Sequence, residues 1–233
     1  MSPVVYLIPS VLDESAKNTI PAYVIDAVKD CKVIFAENER TARRFLKSIC
    51  REIVIDDYEW FTVHKAEHEL LDTFRHKLKE GKNIAIISEA GCPGIADPGQ
   101  VLIAAAQEMN ITVKPLVGPS SILLALMASG MNGQQFEFTG YLPIDTSERI
   151  KAITAMEVTS LKKNSTQVFI ETPYRNNQLL ETLLKTCKPG TKLCIAAELT
   201  SANEFIKTKT ISAWKKEKTD FHKKPVIFLL YAG

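Results

Sequence analysis

Long apolar runs are missing from this 233-residue sequence, and no stretch approaches the roughly 18 residues that a membrane-spanning helix requires. Charge of one sign is missing too. Twenty-nine Lys and Arg against 27 Asp and Glu leave a formal net charge of +2, so any nucleic-acid contact has to be a local basic patch rather than a global field. The five cysteines (Cys31, Cys50, Cys92, Cys187 and Cys194) form no CxxC pair and are odd in number, which reads as reduced, mostly structural thiols of a cytosolic protein. Neither a GxGxxG after a strand nor a GxxxxGK[ST] occurs, which excludes the two standard nucleotide loops. There is no G-x-S-x-G elbow, and only four histidines are present, so a serine-hydrolase reading has little support. The start, MSPVVYLIPS, lacks the basic region and cleavage site of an export signal, and a cytoplasmic protein is expected.

What is present is enough for a real core: 45% of residues are hydrophobic and 24% charged. Short β-branched runs alternate with helical patterns. The first half reads as strand Val4 to Ile8, helix Ile20 to Cys31, strand Val33 to Ala36, helix Glu39 to Ile49 and strand Ile53 to Asp56. Helix Ala66 to Leu78, the wholly buried-type strand Asn83 to Ser88, helix Val101 to Met109 and strand Thr112 to Val117 follow. Such alternation predicts a mostly parallel sheet with helices on both faces. After Gly118-Pro119 strands more often lack an intervening helix. Helix Ser120 to Ala128, strand Phe136 to Tyr141, helix Ser147 to Leu161, strand Gln167 to Glu171, helix Asn176 to Cys187 and strand Lys192 to Leu199 lead to hairpin-like strands near Phe205 to Ala213 and Val226 to Tyr231. The expectation is α/β throughout: an N-terminal parallel α/β domain over 1–117 and a C-terminal mixed-sheet α/β domain over 118–233. Lys215 to Lys224 reads as a solvated loop.

The most informative segment is SEAGCPGIADPG, Ser88 to Gly99, between a buried strand and a helix. That is the carboxyl edge of the sheet, where open α/β proteins bind ligands. Two Pro and three Gly within nine residues fix a rigid turn that a ligand can approach closely. Asp97 before Pro98 reads as a helix N-cap. Val117-Gly118-Pro119-Ser120-Ser121 is a second strand-to-helix turn, with backbone N–H groups and two hydroxyls at a helix start. Arg40, Arg43, Arg44, Lys47 and Arg51 put five positive charges on or just beyond one helix, which suits phosphates as well as a solvated helix face.

In order and spacing, SEAGCPGIADPG, VKPLVGPSSILLALMASG, FEFTGYLP, FIETPYR and AAELT resemble the tetrapyrrole methylase superfamily, and within it the ribosomal RNA small subunit methyltransferase I type. The resemblance runs from about Val5 to Tyr231. It implies a two-domain tetrapyrrole methylase-like fold with S-adenosylmethionine held in the cleft between domains. It further implies methylation of a cytidine ribose 2′-hydroxyl in small-subunit ribosomal RNA, and a homodimer. Cofactor contacts then fall to Pro9, Ser10, Ala90, Gly91, Cys92 and Ile95, with Ser120 and Ser121 at the rim, and to Phe169, Ile170, Glu171, Ala197 and Val226. Glu37, Arg40 and Glu171 are the candidates for taking the hydroxyl proton or positioning the acceptor.

The sequence also departs from the family pattern. P-T-P-I-G-N-L becomes Pro9 to Ser15, PSVLDES, with the glycine lost, and E-D-T-R-x-T becomes Glu37 to Ala42, ENERTA, with the aspartate lost. The small C-terminal extension of many relatives is not in this sequence. A small acceptor such as a tetrapyrrole, or a degenerate paralogue that binds cofactor without catalysis, are the competing readings. His64-Lys65-Ala66-Glu67-His68 spells the HxxEH zinc motif, but it opens an amphipathic helix without a companion glutamate motif, and no metal is expected.

Overall fold

The computed structural model describes residues 2–63 and 67–233. It divides into two compact units, Met1–Ser120 and Ser121–Gly233. Their elements alternate largely as the periodicity predicts. Of the expected helix Ala66 to Leu78, Ala66 lies outside the described residues, Glu67–Leu70 is a 3-10 turn and the α-helix starts at Leu71. Three further local exceptions occur.

The first unit contains β1 (Val4–Ile8), α1 (Tyr23–Lys29), β2 (Val33–Ala36), α2 (Glu39–Ile49), β3 (Glu59–Thr62), α3 (Leu71–Lys79), β4 (Ile84–Ile87), α4 (Gln100–Glu108) and β5 (Thr112–Pro115). The sheet order is β3-β2-β4-β1-β5 and every pair is parallel. Strand side chains alternate between two cores. Tyr6, Ile8, Ile34, Ala36, Ala85 and Ile87 pack with α1 and α2. Val5, Val33, Phe35, Ile84 and Ile86 pack with α3 and α4 on the other face. Because all strands run one way, the segments after β1, β2, β4 and β5 emerge at one edge.

The second unit contains α5 (Ser121–Ser129), β6 (Phe136–Tyr141), α6 (Thr146–Lys163), β7 (Thr166–Ile170), α7 (Asn176–Thr186), β8 (Lys192–Ala197), β9 (Phe205–Thr210), α8 (Ile211–Trp214) and β10 (Val226–Tyr231). Its order is β6-β7-β10-β8-β9; β6 and β7 are parallel and the other pairs antiparallel. The fold class is therefore α/β, with one parallel and one mixed sheet.

The exceptions have physical causes. Ile53 to Asp56 is not a strand: residues 55–57 form a 3-10 turn and the strand is Glu59–Thr62. Aromatic contact decides this, since Phe61 stacks on Phe35 at 4.9 Å and Trp60 Nε1 donates to the Ile55 carbonyl (3.0 Å). The last two strands do not form a hairpin together; β10, apolar throughout, enters the sheet between β7 and β8, while β9 pairs with β8 at the edge. The strand begun at Phe205 also stops at Thr210, whose hydroxyl accepts from the Ala213 N–H and opens α8.

The lysine-rich loop is tethered rather than free. Phe221 is buried and its N–H donates to Asn177 Oδ1 (2.9 Å). Fully buried Asn176 donates from Nδ2 to the carbonyls of Lys224 (2.8 Å) and Phe221 (3.2 Å), fixing where β10 begins. Asn176→Ala leaves those carbonyls without their buried donor, a loss of about 2 kcal/mol. A drop of roughly 5 °C in melting temperature is expected by calorimetry; an unchanged melting point would contradict the tether.

Candidate functional site

Three loops at the carboxyl edge of the first sheet converge on Gly91. After β1, Ser10 forms an antiparallel bridge with Gly91: Ser10 N–H donates to the Gly91 carbonyl (2.8 Å) and Gly91 N–H to the Ser10 carbonyl (3.1 Å). Ser10 Oγ donates to the Ser88 carbonyl (2.8 Å), so this hydroxyl is buried in structural work. Gly91 sits at φ +74, where a non-glycine residue is strained, and its Cα faces Leu12 and the Pro119 carbonyl. Cys92 Sγ lies 3.6 Å from that same carbonyl. Gly118 closes the set: a Cβ there would stand 2.1 Å from Pro9 Cβ, so only glycine lets the third loop lie on the first. Ala96 also adopts a left-handed φ of 64°, a strained backbone inside the same turn.

The two departures from the family pattern are absorbed locally. Asp13 stands where the family glycine would, and its Oδ1 accepts from Ser15 N–H (2.9 Å) and the Ser15 hydroxyl, closing the turn through a side chain. These contacts hold the Asp13 carboxyl below its ordinary range. Asn38 stands where the aspartate would and caps α2, accepting from Thr41 N–H (3.2 Å).

Three carboxylates gather beside the turn. Glu37 Oε2 accepts from Glu89 N–H (2.9 Å), and Glu89 Oε1 accepts from the Thr41 hydroxyl (3.3 Å). Burial, then the negative charges of Glu37 and Glu89, push Asp97 up to about 7. Burial first and Asp97 second raise the Cys92 thiol, which stays protonated and is no nucleophile. Asp97 is thus not the helix N-cap; α4 starts at Gln100 behind Gly99, whose φ is 118°. Its carboxyl was missed as a chemical group because the Asp-Pro pair reads as a helix start, and nothing in the sequence places Glu37 and Glu89 beside it.

The basic residues of α2 divide. Arg40, Arg44, Lys47 and Arg51 are exposed and recur at one-turn spacing. Arg43 turns the other way, with its guanidinium 5.0 Å over the Trp60 ring and an ion pair to Glu39 (2.6 Å). Among the other expected contacts of this unit, Ala90 and Ile95 are exposed, and Ser120 is its last residue.

In the second unit, Ser121 opens α5. Ile170, Ala197 and Val226 come to one sheet edge through the pairs Ile227↔Ile170 and Val226↔Ala197. Phe169, Ala197 and Val226 all lie buried on the core face, Phe169 stacked on Phe228 at 5.8 Å, which leaves their backbones rather than their side chains to meet a ligand. Glu171 follows immediately with a fully buried side chain. Its Oε1 accepts from Thr172 N–H (2.7 Å) and Arg175 Nη2 (2.6 Å), while Oε2 is buried with no hydrogen-bond partner. At the same edge Glu198 and Thr200 hold left-handed backbones, φ 51° and 70°.

No group of three or more His, Cys, Asp or Glu side chains is placed to hold a metal among the described residues. Of the HxxEH segment, residues 64–66 and the Glu67 side chain lie outside the described residues, and His68 is exposed. No described helix is long and apolar enough to cross a membrane.

The sequence profile of the Tetrapyrrole (Corrin/Porphyrin) Methylases matches residues 16–214. A Buchnera aphidicola (subsp. Schizaphis graminum) protein named ribosomal RNA small subunit methyltransferase I is 31% identical over 98% of this chain and 78% of its own length. A Bacillus subtilis protein of the same name is 30% identical over 92% of this chain and 70% of its own. For a Micromonospora olivasterospora protein of that name the figures are 32%, 73% and 51%, so the chain spans about half the length of that relative. Two solved structures share the fold: diphthine synthase (TM-score 0.68, 13% identity, 99% of this chain and 90% of that one) and the methyltransferase CobJ (0.65, 15%, 99% and 94%).

The raised Asp97 sets a pH dependence. The folded state holds this proton more firmly than the unfolded chain, whose carboxyl titrates near 3.8, so its stabilising contribution is complete below that pH and is lost as pH rises through about 7. Asp97→Asn removes that loss. In thermal melts the variant should gain on the wild type between about pH 4 and pH 8; a difference that stays constant with pH contradicts the raised carboxyl.

Proposed function

Since the chain belongs to the tetrapyrrole (corrin/porphyrin) methylase family, we propose that it transfers a methyl group from S-adenosylmethionine to a cytidine ribose 2′-hydroxyl of small-subunit ribosomal RNA. The observation that carries this reading is the likeness, over 98% of the chain, to a protein named for that class of RNA. A tetrapyrrole acceptor has the family profile in its favour, but the relatives at about 30% identity are named for ribosomal RNA.

Each unit carries groups that suit the donor. On the second unit, buried Glu171 Oε2, which has no hydrogen-bond partner, suits a ribose hydroxyl. On the first unit, exposed Ala90 and Ile95 flank the Gly91 turn and suit contact with a ligand at that sheet edge. When bound, S-adenosylmethionine supplies a methyl carbon made electrophilic by its sulfonium. The chain's own task is then alignment, since holding the reacting atoms about 3–3.5 Å apart contributes much of the rate. Asp97 takes the hydroxyl proton, with burial first and then Glu37 and Glu89 keeping its carboxyl poised for neutral pH. Arg40, Arg44, Lys47 and Arg51 meet RNA phosphates.

A cytoplasmic homodimer completes the reading. Apolar surface on the second unit, where Ile144 is 72% and Tyr141 60% exposed, supports self-association.

Purified protein, labelled donor and 30S particles test the proposal. Label should appear at one cytidine ribose, and Glu171→Ala should weaken donor binding roughly tenfold or more by calorimetry. Folded protein that binds the donor yet leaves ribosomal RNA unlabelled rules the reading out.

A further inference from the structure

Beside the Gly91 turn, within the first unit, lies a cavity of about 450 Å³. It falls in the size range of small-molecule pockets, roughly 300–1,000 Å³. Leu12 and Phe45 give it apolar walls, Thr41 and Ser48 add hydroxyls, and the cations Arg44 and Lys17 stand against the carboxylates of Glu14 and Glu89. Resting on the RNA-acceptor reading, we propose that this cavity receives one unstacked nucleotide of the RNA, its base against Phe45 and Leu12 and its phosphate on Arg44.

The chemistry matches on each part of a nucleotide. A base has two apolar faces and a polar rim, and single-stranded RNA is read by splaying such a base against apolar and aromatic side chains. Phe45 is held by the α2 core, so it presents a fixed surface. Ser48 donates its own proton to the Phe45 carbonyl (2.7 Å), which leaves the hydroxyl oxygen as an acceptor for an amino group.

Arg44 is held in place by a partner that can leave. Its guanidinium pairs with Glu14 at 2.5 Å, joining α2 to the loop after β1. Both side chains are open to solvent, 62% and 77% exposed, and such a pair contributes only about 0–1 kcal/mol. A phosphate, with more charge and more acceptor oxygens, displaces the carboxylate from the same fork. Glu14 thus acts as a competitor that orients Arg44 until RNA arrives, and Lys17, on the same loop, adds positive charge to the lining.

A short single-stranded RNA carrying 4-thiouridine, photocrosslinked to the full chain and mapped by mass spectrometry, tests the proposal. Crosslinks are expected within 10–17 or 41–48. Arg44→Gln should weaken oligonucleotide binding about tenfold, whereas Glu14→Gln should tighten it about two- to fivefold. A merely structural ion pair would instead make both variants shift together. Ser48→Phe, filling the cavity from α2, should abolish the crosslink while the melting temperature holds. Crosslinks elsewhere, none at all, or Arg44 and Glu14 variants that move in the same direction overturn the pocket. Crosslinks here without methylation of 30S particles would sink the functional reading and leave the pocket standing; methylation with Ser48→Phe at wild-type turnover would do the reverse.

Discussion

Two backbone hydrogen bonds between Ser10 and Gly91 join loops that arise from adjacent strands β1 and β4. Everything proposed for the first unit depends on that bridge. It fixes the Gly91 turn against the first loop, and the bare Cα of Gly118 lets the third loop close over Pro9. Backbone atoms do most of this. The parallel sheet makes the arrangement possible, because it delivers every one of these loops to the same edge.

The electrostatics of the edge follow from the same convergence. Glu37 reaches the Glu89 amide only because β2 and β4 are neighbours. Once Glu37 and Glu89 are fixed, Asp97 is left partly buried among like charges and its proton is held to near neutrality. A carboxyl in that state is suited to accept a proton from a hydroxyl at physiological pH. Next to these carboxylates, with Glu89 on its rim, the loop after β1 and helix α2 line a recess with apolar walls and a displaceable ion pair. One set of loops thus provides both a charged face and a nucleotide-sized recess.

Much of this was legible in the residues. Wholly apolar runs such as Asn83 to Ser88 announce strands buried on both faces, and Ile84 to Ile87 is that strand. The glycines and prolines of Ser88 to Gly99 mark the turn, but their spacing does not say what faces it. Pairing across distant segments is where local pattern stops. Nothing near Val226 signals that β10 enters between β7 and β8, and β3 hides because Trp60 and Phe61 gain their stability from Ile55 and Phe35. Arg43 looks like its neighbours in α2 until Trp60 takes it. Asp97 reads as a cap, and only the approach of two other carboxylates gives it chemical interest.

The bridge itself can be measured directly. Amide hydrogen exchange, followed residue by residue in the free protein, reports on the Ser10 and Gly91 N–H groups, each donated to the other's carbonyl. Both amides should exchange as slowly as those of β1 and β4, and adding S-adenosylmethionine should slow the 88–99 loop further. Rapid exchange at Ser10 and Gly91, at the rate of an open loop and untouched by the donor, would contradict the account.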